Sequence, residues 1–593
     1  MAKKDYSKLE KDDLLKVIEK LESRKKYGLI WDEEKTKEQF EKESENALPV
    51  LKEVKGKEIK TDTKKPTNIL IEGDNYHALS VLNYTHQGKI DVIYIDPPYN
   101  TGKKDFVYND NYVDEEDEYK HSKWLSFMSK RLRLAKNLLT DDGVLAVSID
   151  DHEIAQLKLL LDELFNENTK VVAVKMSEAS GLKMGATRKV GNIPKYKEYV
   201  IFAKKRGIKN LRFDPIKKAE WDNEYNIFID NFSKEDREKI NQLSAKEMIT
   251  DDDLIQLDHT ILSKIKLKTV SQALKETRLK KDDDILNWKL DNAWRIARTA
   301  ASTSVKAIAD EKKKKTNQVV FSVLSKRDGL LYIVKSDYKK DSKKPRVQII
   351  FADDNLESHP GDIWTDIKTT GLEAEGNVDF KNGKKPLDLI RRIIYSSYNN
   401  DAIVCDFFAG SGTTGEATLE LNKIYGGQRQ FILCTYNKEN GNGNIADQYC
   451  YPRIKNAIQG YRKKSALGGN LKYFKTAFVK NSISRDDLKI RITRECTEML
   501  CLREGIFEEV KTNADWKIFK QGDRVMGIYY ALERDGLQSL KKELDKMKGE
   551  KILYCFTLDP LGLDKEDFVD WQGVSLEPIP QKILDIYEQI YEY

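Results

Sequence analysis

The chain has 593 residues, of which 39% are hydrophobic and 34% are charged, and its formal net charge is +5 at pH 7. This composition excludes a largely disordered chain, and the length predicts about three or four folding units of ~100–200 residues each. The small net charge means that nucleic-acid binding cannot be argued from overall basicity. No apolar stretch approaches the roughly 18 residues of a membrane span, and no signal-peptide core follows Met1, so we expect a cytoplasmic protein without membrane contact.

The first 65 residues are dense in lysine and glutamate, and leucines fall near helical spacing at Leu9, Leu14, Leu15 and Leu21. This pattern predicts an N-terminal helical arm, residues 1–65, that packs on its own domain or on a partner. The six cysteines all lie in the last third of the chain without paired C-x-x-C spacing, and the six histidines do not cluster with them. We therefore expect reduced thiols and neither a disulfide framework nor a metal centre.

Residues 90–95 form an apolar run that predicts a buried strand, and Asp96-Pro97-Pro98-Tyr99 follows it directly. The acidic side chain and the outward-pointing carbonyl of Pro97 can accept the two hydrogens of an exocyclic amine, while the ring of Tyr99 offers a face for stacking. Such a site suits a base that is flipped out of a nucleic acid. The alternative is a plain strand and turn, since Asp-Pro and Pro-Pro pairs are common in loops.

Two lysine-rich segments lie in the middle of the chain, at residues 264–281 and 312–315. Runs of this kind are usually solvated surface, although a basic surface can also bind phosphate. The residues that read bases are not predicted, because a sequence does not show which side chains enter a groove.

A second motif lies far downstream, where Ile403-Val404-Cys405 leads into residues 406–415, DFFAGSGTTG. It predicts a strand, a glycine turn and a helix that begins near Thr414, the arrangement with which an open α/β sheet forms a nucleotide pocket. Glycines let backbone amides approach a ligand, and a helix N-terminus favours a carboxylate or phosphate. The segment also fits a dinucleotide fingerprint, but its late position and the Asp-Pro-Pro-Tyr motif argue against a nicotinamide or flavin enzyme.

The two motifs, in this order, resemble the β class of S-adenosylmethionine-dependent DNA amino-methyltransferases, in which the catalytic segment precedes the cofactor loop. Further segments resemble parts of the same family, namely residues 69–75, 100–102, 124–139, 142–150, 197–202 and 385–390. Within the class, the likeness is greatest to the Mod subunit of type III restriction-modification systems. It extends over residues 68–205 and 360–460 and leaves the middle of the chain unmatched.

The resemblance implies an α/β fold with a doubly wound, Rossmann-like methyltransferase sheet built from two halves that are separated in sequence. It places the catalytic half at residues 66–205, a target-recognition domain at 206–350 and the cofactor-binding half at 351–465. Both lysine-rich segments fall in the target-recognition domain, which favours a role for them in DNA binding. Residues 466–593 are expected to form a C-terminal domain of mixed strand and helix, and both ends of the chain are candidates for dimer contacts and for docking a restriction subunit.

The resemblance also implies catalytic roles for Asp96, Pro97, Pro98 and Tyr99. Asp96 and the Pro97 carbonyl would hold N6 of a flipped-out adenine with its lone pair towards the methyl group, and Tyr99 would stack on the base. No histidine base is required, because the proton can leave late. In this family an aspartate at the first position is associated with adenine, whereas a serine is more often associated with N4 of cytosine.

For the cofactor, S-adenosylmethionine, the resemblance implies contacts with the glycine turn and its neighbours, namely Lys385, Asp406, Phe408, Ala409, Gly410, Ser411, Gly412, Thr413 and Thr414. An acidic residue normally meets the ribose hydroxyls after the next strand. Here the strand at residues 430–434 is followed by Asn437 and Glu439, of which we choose Asn437. Asp74 is expected at the adenine moiety of the cofactor or at the target base. An ordinary Gly-Asp turn and a solvated lysine would also explain Asp74 and Lys385.

We therefore expect a site-specific adenine-N6 methyltransferase that acts on double-stranded DNA as a homodimer, with a restriction subunit as a further partner. An orphan methyltransferase, an N4-cytosine enzyme, an RNA methyltransferase and an inactive DNA-binding specificity subunit remain alternatives. The intact Asp96, Tyr99, Gly410 and Gly412 argue against inactivity. A fused restriction enzyme is disfavoured because the chain has no G-x-x-x-x-G-K-[ST] phosphate loop.

Overall fold

The computed structural model describes residues 47–591 apart from short gaps, together with Lys11, Trp31, Thr36 and Glu38. The gaps are residues 63, 103–104, 109–110, 178–188, 190, 192, 219, 326, 328, 339–344, 381–382, 438–443 and 483. Most of the N-terminal arm expected at residues 1–65 therefore lies outside the described residues. The chain divides into two compact units, of which unit 1 is Met1–Phe213 with Gly361–Tyr593 and unit 2 is Asp214–Pro360.

Unit 1 is built on a ten-stranded sheet. Its strands in chain order are β1 (Ala47–Glu53), β2 (Thr67–Glu72), β3 (Ile90–Ile95), β4 (Leu139–Ile149), β5 (Thr169–Lys175), β6 (Lys197–Lys204), β7 (Ile363–Trp364), β8 (Ile403–Asp406), β9 (Gln430–Thr435) and β10 (Asn470–Lys480). Across the sheet they follow the order β1-β10-β2-β9-β8-β3-β4-β6-β5-β7. The strands from β10 to β4 in this order run parallel, whereas β1 and β6 are antiparallel to their neighbours.

Helices cover both faces of this sheet, because its inner strands are apolar on both sides. Ile93 and Ile95 of β3 share a core with α1 (Asn75–Thr85), α2 (Lys120–Leu138) and α3 (Ile154–Leu164). Val92 and Tyr94 of the same strand share a second core with α4 (Leu387–Tyr395) and α5 (Thr413–Tyr425), and α6 (Tyr451–Gln459) packs beside them over β2 and β9. The doubly wound α/β fold expected from the sequence is confirmed.

The two halves of the methyltransferase-like sequence interleave in this sheet. Strands β8 and β9 of the second half lie between β2 and β3 of the first half. The parallel pairing of β3 with β8 aligns Val92 with Val404 and Ile93 with Cys405. The halves are thus one continuous sheet, and neither could bury its inner faces without the other.

The structure differs from two of the expected boundaries, and both differences lie at the β1 edge of the sheet. Residues 47–53, assigned to the helical arm, form the edge strand β1, and residues 470–480, assigned to the C-terminal domain, form β10 between β1 and β2. The reason is burial, because residues such as Leu51 and Phe474 complete the core under α1. Gly468-Gly469 is therefore a turn within the sheet and does not mark a domain boundary.

The rest of unit 1 beyond β10 is a mixed α/β segment. It has a five-stranded sheet in the order Glu508–Thr512, Trp516–Gln521, Arg524–Tyr529, Glu550–Phe556 and Val574–Ile579. Its helices are Arg485–Glu495, Thr497–Glu504, Leu537–Asp545 and Gln581–Tyr591. Leu500 and Ile583 of this segment share a core with α1, so the segment packs on the main sheet. Two small elements of unit 1 remain, the hairpin of Val107–Tyr108 with Asn111–Tyr112 and the π-helix Ala446–Cys450.

Unit 2 contains a six-stranded antiparallel sheet with helices on both faces. Its strands, in order across the sheet, are Lys266–Thr269, Ile227–Asp230, Ile296–Ala301, Arg346–Phe351, Leu331–Lys335 and Val320–Leu324. Its helices are Lys234–Ser244, Asp251–Thr260, Val270–Thr277, Asp282–Asp291 and Thr303–Lys313. A short antiparallel pair, Ile216–Lys217 with Glu357–Ser358, joins the two ends of the unit. Among the described residues of the whole chain, no helix combines the length and the apolar character needed to cross a membrane.

Asp91 interrupts the apolar run of β3, and the structure gives the reason. Its Oδ2 accepts a hydrogen bond from the backbone amide of Ile403 at 2.9 Å, and its Oδ1 accepts one from Nδ2 of Asn399 at 3.1 Å. Both donors belong to the segment that leads into β8. The carboxylate therefore joins the two strands where β8 begins.

We predict that Asp91→Ala lowers the free energy of unfolding by about 2 kcal/mol, because hydrogen bonds to a charged group are lost. The measurement is urea unfolding followed by tryptophan fluorescence. Asp142→Ala is the matched control, since Asp142 is an exposed carboxylate in β4 of the same sheet. Equal unfolding midpoints for the two variants would show that Asp91 does not hold β8 in place.

Candidate active site

Four neighbouring parallel strands end at one edge of the main sheet and carry the residues singled out in the sequence. In spatial order, β2 is followed by Asp74, β9 by Asn437, β8 by residues 407–412 and β3 by Asp96. We call residues 407–412 the glycine turn. The two sequence motifs are thus adjacent in the sheet, at the edge where open α/β folds bind ligands.

Asp96 belongs to a cluster of four polar side chains, which we call the Asp96 cluster: Asp96, Tyr99, Glu198 and Lys385. The Tyr99 hydroxyl lies 3.0 Å from both Asp96 Oδ1 and Glu198 Oε2, so its single proton can bind one carboxylate at a time. Nζ of Lys385 donates to Tyr99 Oη at 2.5 Å and to Glu198 Oε2 at 2.6 Å, and lies 3.3 Å from Asp96 Oδ1. Lys385 was expected beside the cofactor turn, and the structure places it against the catalytic motif.

Two acceptors of the motif remain available at this edge. Within the described part of the chain, no donor is paired with Asp96 Oδ2 or with the carbonyl oxygen of Pro97. The carbonyl of Pro98 is in use, because Nε1 of the buried Trp124 donates to it at 2.7 Å. The motif therefore offers one carboxylate oxygen and one carbonyl oxygen to an incoming amine.

The ring of Tyr99 remains suited to stacking. Lys385 Nζ is 4.8 Å from the ring centroid and much nearer the hydroxyl oxygen, so the ammonium lies at the hydroxyl edge and covers neither face. The hydrogen bonds of the hydroxyl fix the orientation of the ring plane. This arrangement suits a planar ligand held against the ring.

The charges in the Asp96 cluster oppose one another. Burial raises the pKa of the Asp96 carboxyl to about 6, with the Lys385 cation opposing this rise and the Glu198 carboxylate adding to it. Burial alone would lower the pKa of Lys385, but the carboxylates of Asp96 and Glu198 outweigh it and raise that pKa above its ordinary value. Asp96 is therefore ionised near neutral pH, yet it is a stronger proton acceptor than an exposed aspartate.

Asn100, directly after the motif, fixes the course of the chain. Its φ is 58°, a left-handed conformation that asparagine tolerates better than most residues. Its side-chain Nδ2 donates to Glu153 Oε1 at 2.6 Å and to the backbone carbonyl of Lys120 at 3.1 Å. Nδ1 of His121 lies 2.7 Å from the same Glu153 oxygen. The motif is thereby anchored to the start of α2 and to the residue that precedes α3.

Asp406 shapes the glycine turn from inside the protein. Its Oδ1 accepts from the backbone amide of Phe408 at 2.9 Å, and its Oδ2 accepts from the Thr414 hydroxyl at 2.5 Å. Burial raises the pKa of Asp406 to about 7, against the effect of these two donors. The amide of Ala409 donates to the Cys434 carbonyl of β9 at 3.1 Å. Both carboxylate oxygens of Asp406 thus hold the turn and the start of α5 in position.

The glycine turn leaves backbone amides and open space at the start of α5. No acceptor in the described residues is paired with the amide of Gly410 or of Ser411. Gly410 has φ 49°, and an added Cβ atom would meet only the Phe408 carbonyl oxygen, at 3.8 Å. Gly412, with φ 83°, differs in that its Cβ would come within 3.1 Å of Cys450 Sγ. Unpaired amides beside a helix N-terminus fit a ligand carboxylate such as that of methionine.

Two hydroxyl side chains, one in the glycine turn and one at the first residue of α5, point away from the edge of the sheet. Ser411 Oγ and Thr413 Oγ1 both accept from Nη1 of the fully buried Arg453, at 3.1 Å and 2.6 Å. Of the residues expected to contact the cofactor, Asp406, Ser411, Thr413 and Thr414 therefore have side chains turned into the protein. Only their backbone atoms are left for a ligand.

The two outer candidates, Asn437 and Asp74, both have structural roles. Asn437 Oδ1 accepts from the amides of Ala446 at 2.9 Å and Asp447 at 3.4 Å, which leaves its Nδ2 group for a ribose hydroxyl. Glu439, the other ribose candidate, lies outside the described residues. Asp74 caps α1 by accepting from the amide of Tyr76 at 2.7 Å, and much of its side chain is exposed.

Sequence reasoning missed two charged residues at this site, the half-buried Glu198 and the fully buried Arg453. Glu198 lies near the start of β6, between Lys197 and Tyr199, and Arg453 lies on the buried face of α6 next to Ile454. A charged residue on an apolar helix face is the sequence feature that could have identified Arg453, because an ionised group is buried only with partners. Glu198 lies beside Lys197 and carries no such signal.

Comparison with known proteins gives the same family as the two motifs. A family profile described as DNA methylase matches residues 90–442. The HindVI Mod subunit of Haemophilus influenzae is 30% identical over 398 residues, which cover 62% of this chain and 49% of that protein. The EcoPI Mod subunit of Escherichia phage P1 is 30% identical over 461 residues, which cover 68% of this chain and 63% of that protein. The chain thus spans about half the length of the first relative and less than two thirds of the second.

A solved structure, the PvuII DNA methyltransferase (cytosine-N4-specific), aligns with 75% of this chain and 96% of its own chain at 10% identity and a TM-score of 0.30. The fold assignment rests on the strand order given above. Because the DNA methylase profile covers more than half of the 593 residues, the chain belongs to that family, the N6_N4_Mtase DNA methylases.

Proposed function

We propose that this protein transfers a methyl group from S-adenosylmethionine to N6 of an adenine flipped out of duplex DNA. One observation carries the proposal: Asp96 Oδ2 and the Pro97 carbonyl are unpaired acceptors among the described residues, beside the Tyr99 ring and one strand away from the glycine turn. Two acceptors match the two hydrogens of an exocyclic amine. A purine amine held there would lie one strand away from the glycine turn at the end of β8.

The chain's own groups orient the amine and take its proton. The N6 lone pair is delocalised into the adenine ring, so two acceptors that bind both hydrogens favour a pyramidal nitrogen with its lone pair directed at the methyl carbon. S-adenosylmethionine supplies an electrophilic methyl group on a sulfonium sulfur. As the new N–C bond forms, the bond between the methyl carbon and the sulfonium sulfur breaks, and the neutral thioether S-adenosylhomocysteine is left. N6 becomes positively charged, and one of its hydrogens passes to Asp96 Oδ2. The raised pKa of Asp96 makes it a better acceptor for this proton.

Lys385 and Glu198 prepare Asp96 and Tyr99 for this task. Lys385 stabilises the ionised form of Asp96, and both Lys385 and Glu198 bind the Tyr99 hydroxyl, which fixes the plane on which the base stacks. Neither residue needs to touch the substrate, so we assign them as positioning residues.

For the cofactor we propose that the amides of Gly410 and Ser411 bind the methionine carboxylate, since they are unpaired among the described residues and lie at a helix N-terminus. Asp74 and Asn437 follow the next two strands along the edge, β2 and β9, and would meet the adenosine portion. Phe408 would line the pocket between these groups. Pro98, whose carbonyl is bound by Trp124, keeps the catalytic loop in register.

Adenine is proposed as the target base because the motif begins with aspartate. The family that matches the chain includes both N6 and N4 amino-methyltransferases by name, so N4 of cytosine is the second candidate. Both bases present an exocyclic amine with two hydrogens, and the four residues of the motif could hold either.

We propose that unit 2 recognises the DNA target. In the lysine-rich segment 312–315, Lys312 pairs with Asp258 and Lys313 donates to the Ser336 carbonyl, so these lysines also hold the unit together. The exposed residues at the end of the first segment, Arg278, Lys280 and Lys281, are without a carboxylate partner among the described residues. They are among the cations of these segments that would neutralise phosphates.

The two Mod relatives support a place in a type III restriction-modification system. We therefore propose that the protein is a modification and recognition subunit that works in the cytoplasm, where its DNA substrate lies, as a homodimer and with a separate restriction subunit. The runner-up is an orphan methyltransferase of the same family. Neighbouring genes would distinguish the two, because only a restriction system requires a nuclease partner.

The first experiment is single-molecule sequencing of DNA from a methylation-free host that expresses this chain, with Asp96→Ala as the control. We predict N6-methyladenine at one short motif with the wild-type chain. Asp96→Ala should lower turnover at least about 100-fold, since one acceptor of the amine is lost, while S-adenosylhomocysteine binding stays intact. N4-methylcytosine would replace the adenine assignment, and near-normal turnover by Asp96→Ala would overturn the catalytic assignment.

The acid limb of the pH profile should follow Asp96, which must be ionised to accept a hydrogen bond. Because the pKa of Asp96 is raised to about 6, we predict that kcat/KM falls as the pH drops through this value. Lys385→Met removes the cation that opposes the effect of burial, so the pKa of Asp96 should rise and the acid limb should move to higher pH. Glu198→Gln removes a neighbouring negative charge and should move it to lower pH. Shifts in the same direction for both variants would contradict this account.

Gly410→Val should weaken S-adenosylhomocysteine binding by at least about 10-fold, because the side chain would extend into the space for the ligand. Gly426→Val is the matched control, since Gly426 also has a positive φ (73°) and open space around it but lies at the far end of α5. Titration calorimetry measures both affinities. If the two variants bind equally well, the glycine turn is not the cofactor site.

A further inference from the structure

Arg453 is fully buried behind the glycine turn and binds three side chains of α5 and the turn. Its Nη1 donates to Ser411 Oγ and Thr413 Oγ1, and its Nε donates to Glu416 Oε2 at 2.7 Å. Both Arg453 and Glu416 have no exposed side-chain surface. Although burial alone would raise the pKa of Glu416, Arg453 and the Tyr461 hydroxyl hold it below its ordinary value, so this is a buried ion pair.

The same guanidinium also faces the segment that precedes α4. Its Nη2 lies 3.7 Å from Glu375 Oε2 and has no hydrogen-bond partner within the described residues. Gly376 packs directly on the arginine stem: its φ is 67°, and a Cβ atom there would lie 2.4 Å from Arg453 Cγ. The Tyr461 hydroxyl, which donates to Glu416 Oε1 at 2.6 Å, accepts from the Gly376 amide at 2.9 Å.

This segment continues into Lys385 of the Asp96 cluster. Glu375 Oε2 accepts from the amide of Leu387 at 3.3 Å, two residues after Lys385. Nζ of the neighbouring Lys384 donates to the backbone carbonyls of Leu372, Glu375 and Val378 at 2.8–3.0 Å, which closes the loop on itself. A chain of contacts therefore links the hydroxyls of Ser411 and Thr413 to Arg453. It continues through Glu375 to the backbone that carries Lys385.

We propose that Arg453 is a positioning residue that holds the glycine turn and the Lys385 segment in one fixed arrangement, so that cofactor affinity and the placement of Lys385 against Asp96 depend on the same buried side chain. The inference rests on the function proposed above and extends it. A planar guanidinium is suited to this position, because its donors diverge at fixed angles and reach several partners at once. A guanidinium that is buried this completely is tolerated only when a carboxylate is paired with it, as Glu416 is here.

The test compares Arg453→Met and Arg453→Lys with Arg429→Met in the full chain. Arg429 is the matched control: it is also buried, but it binds the Gly426 carbonyl and Asn400 at the opposite end of β9. Thermal unfolding measures the structural effect of each change. Titration calorimetry with S-adenosylhomocysteine and the pH profile of kcat/KM measure the two consequences of positioning.

We expect Arg453→Met to raise the Kd for S-adenosylhomocysteine at least about 10-fold and to move the acid limb to higher pH, as Lys385→Met does. Arg453→Lys, which keeps the charge, should recover part of both effects. Arg429→Met should lower the unfolding temperature and leave the Kd and the acid limb unchanged. If Arg453→Met does not fold, Ser411→Ala combined with Thr413→Val removes the two hydroxyls that Arg453 holds and should still raise the Kd.

Two outcomes would overturn the inference. The first is a folded Arg453→Met variant, or the double variant in its place, that keeps the wild-type Kd and acid limb. The second is a loss of affinity in Arg429→Met that equals the loss in Arg453→Met. A wild-type chain that binds no S-adenosylhomocysteine would instead contradict the proposed function. The two failures are therefore distinguishable.

Discussion

The site depends on one pairing, that of β3 with β8. The Asp-Pro-Pro-Tyr motif and the glycine turn are far apart in sequence, and they become neighbours only because these strands lie parallel with Ile93 opposite Cys405. Strand side chains alternate between the faces of a sheet, so a shift of one residue in either strand would exchange its buried faces and move its motif along the edge. The carboxylate of Asp91 accepts a hydrogen bond from the backbone amide of Ile403, the first residue of β8, and so opposes such a shift.

Burial of charge is the second constraint on this edge of the sheet. Asp96 and Asp406 end neighbouring strands, and burial raises the pKa of both carboxyls. The two carboxyl groups have different hydrogen-bond donors. Asp96 is bound by a lysine and a tyrosine hydroxyl, whereas Asp406 is bound by a backbone amide and a threonine hydroxyl. The difference separates a carboxylate with one oxygen unpaired among the described residues from one that maintains the backbone of a turn. Two carboxyl groups at the ends of neighbouring parallel strands thus have unlike surroundings.

The sequence was sufficient for the strands, the glycine turn and the order of the motifs, because these follow from local patterns: apolar runs, glycines that need a positive φ, and helix starts. It was insufficient for the directions of side chains. Ser411 and Thr413 lie in the predicted ligand turn but bind Arg453 behind it, and Lys385, in the segment before α4, contacts Asp96, which follows β3. Such pairings are set by tertiary packing over long separations in sequence. The edge strand β1 and its neighbour β10 were missed for the same reason, since β1 pairs with β10 and β10 pairs with β2, over long separations in sequence.

The short antiparallel pair of Ile216–Lys217 with Glu357–Ser358 brings the entry and exit of unit 2 side by side. An insertion whose ends already meet imposes little loop-closure entropy on the sheet that carries it, whatever its length. A unit of this kind can be lengthened, shortened or replaced in evolution while the strand order of the host sheet persists. The edge that carries the candidate active site and the inserted unit are therefore free to diverge at different rates, and under the function proposed above a change of target would not require a change of that site.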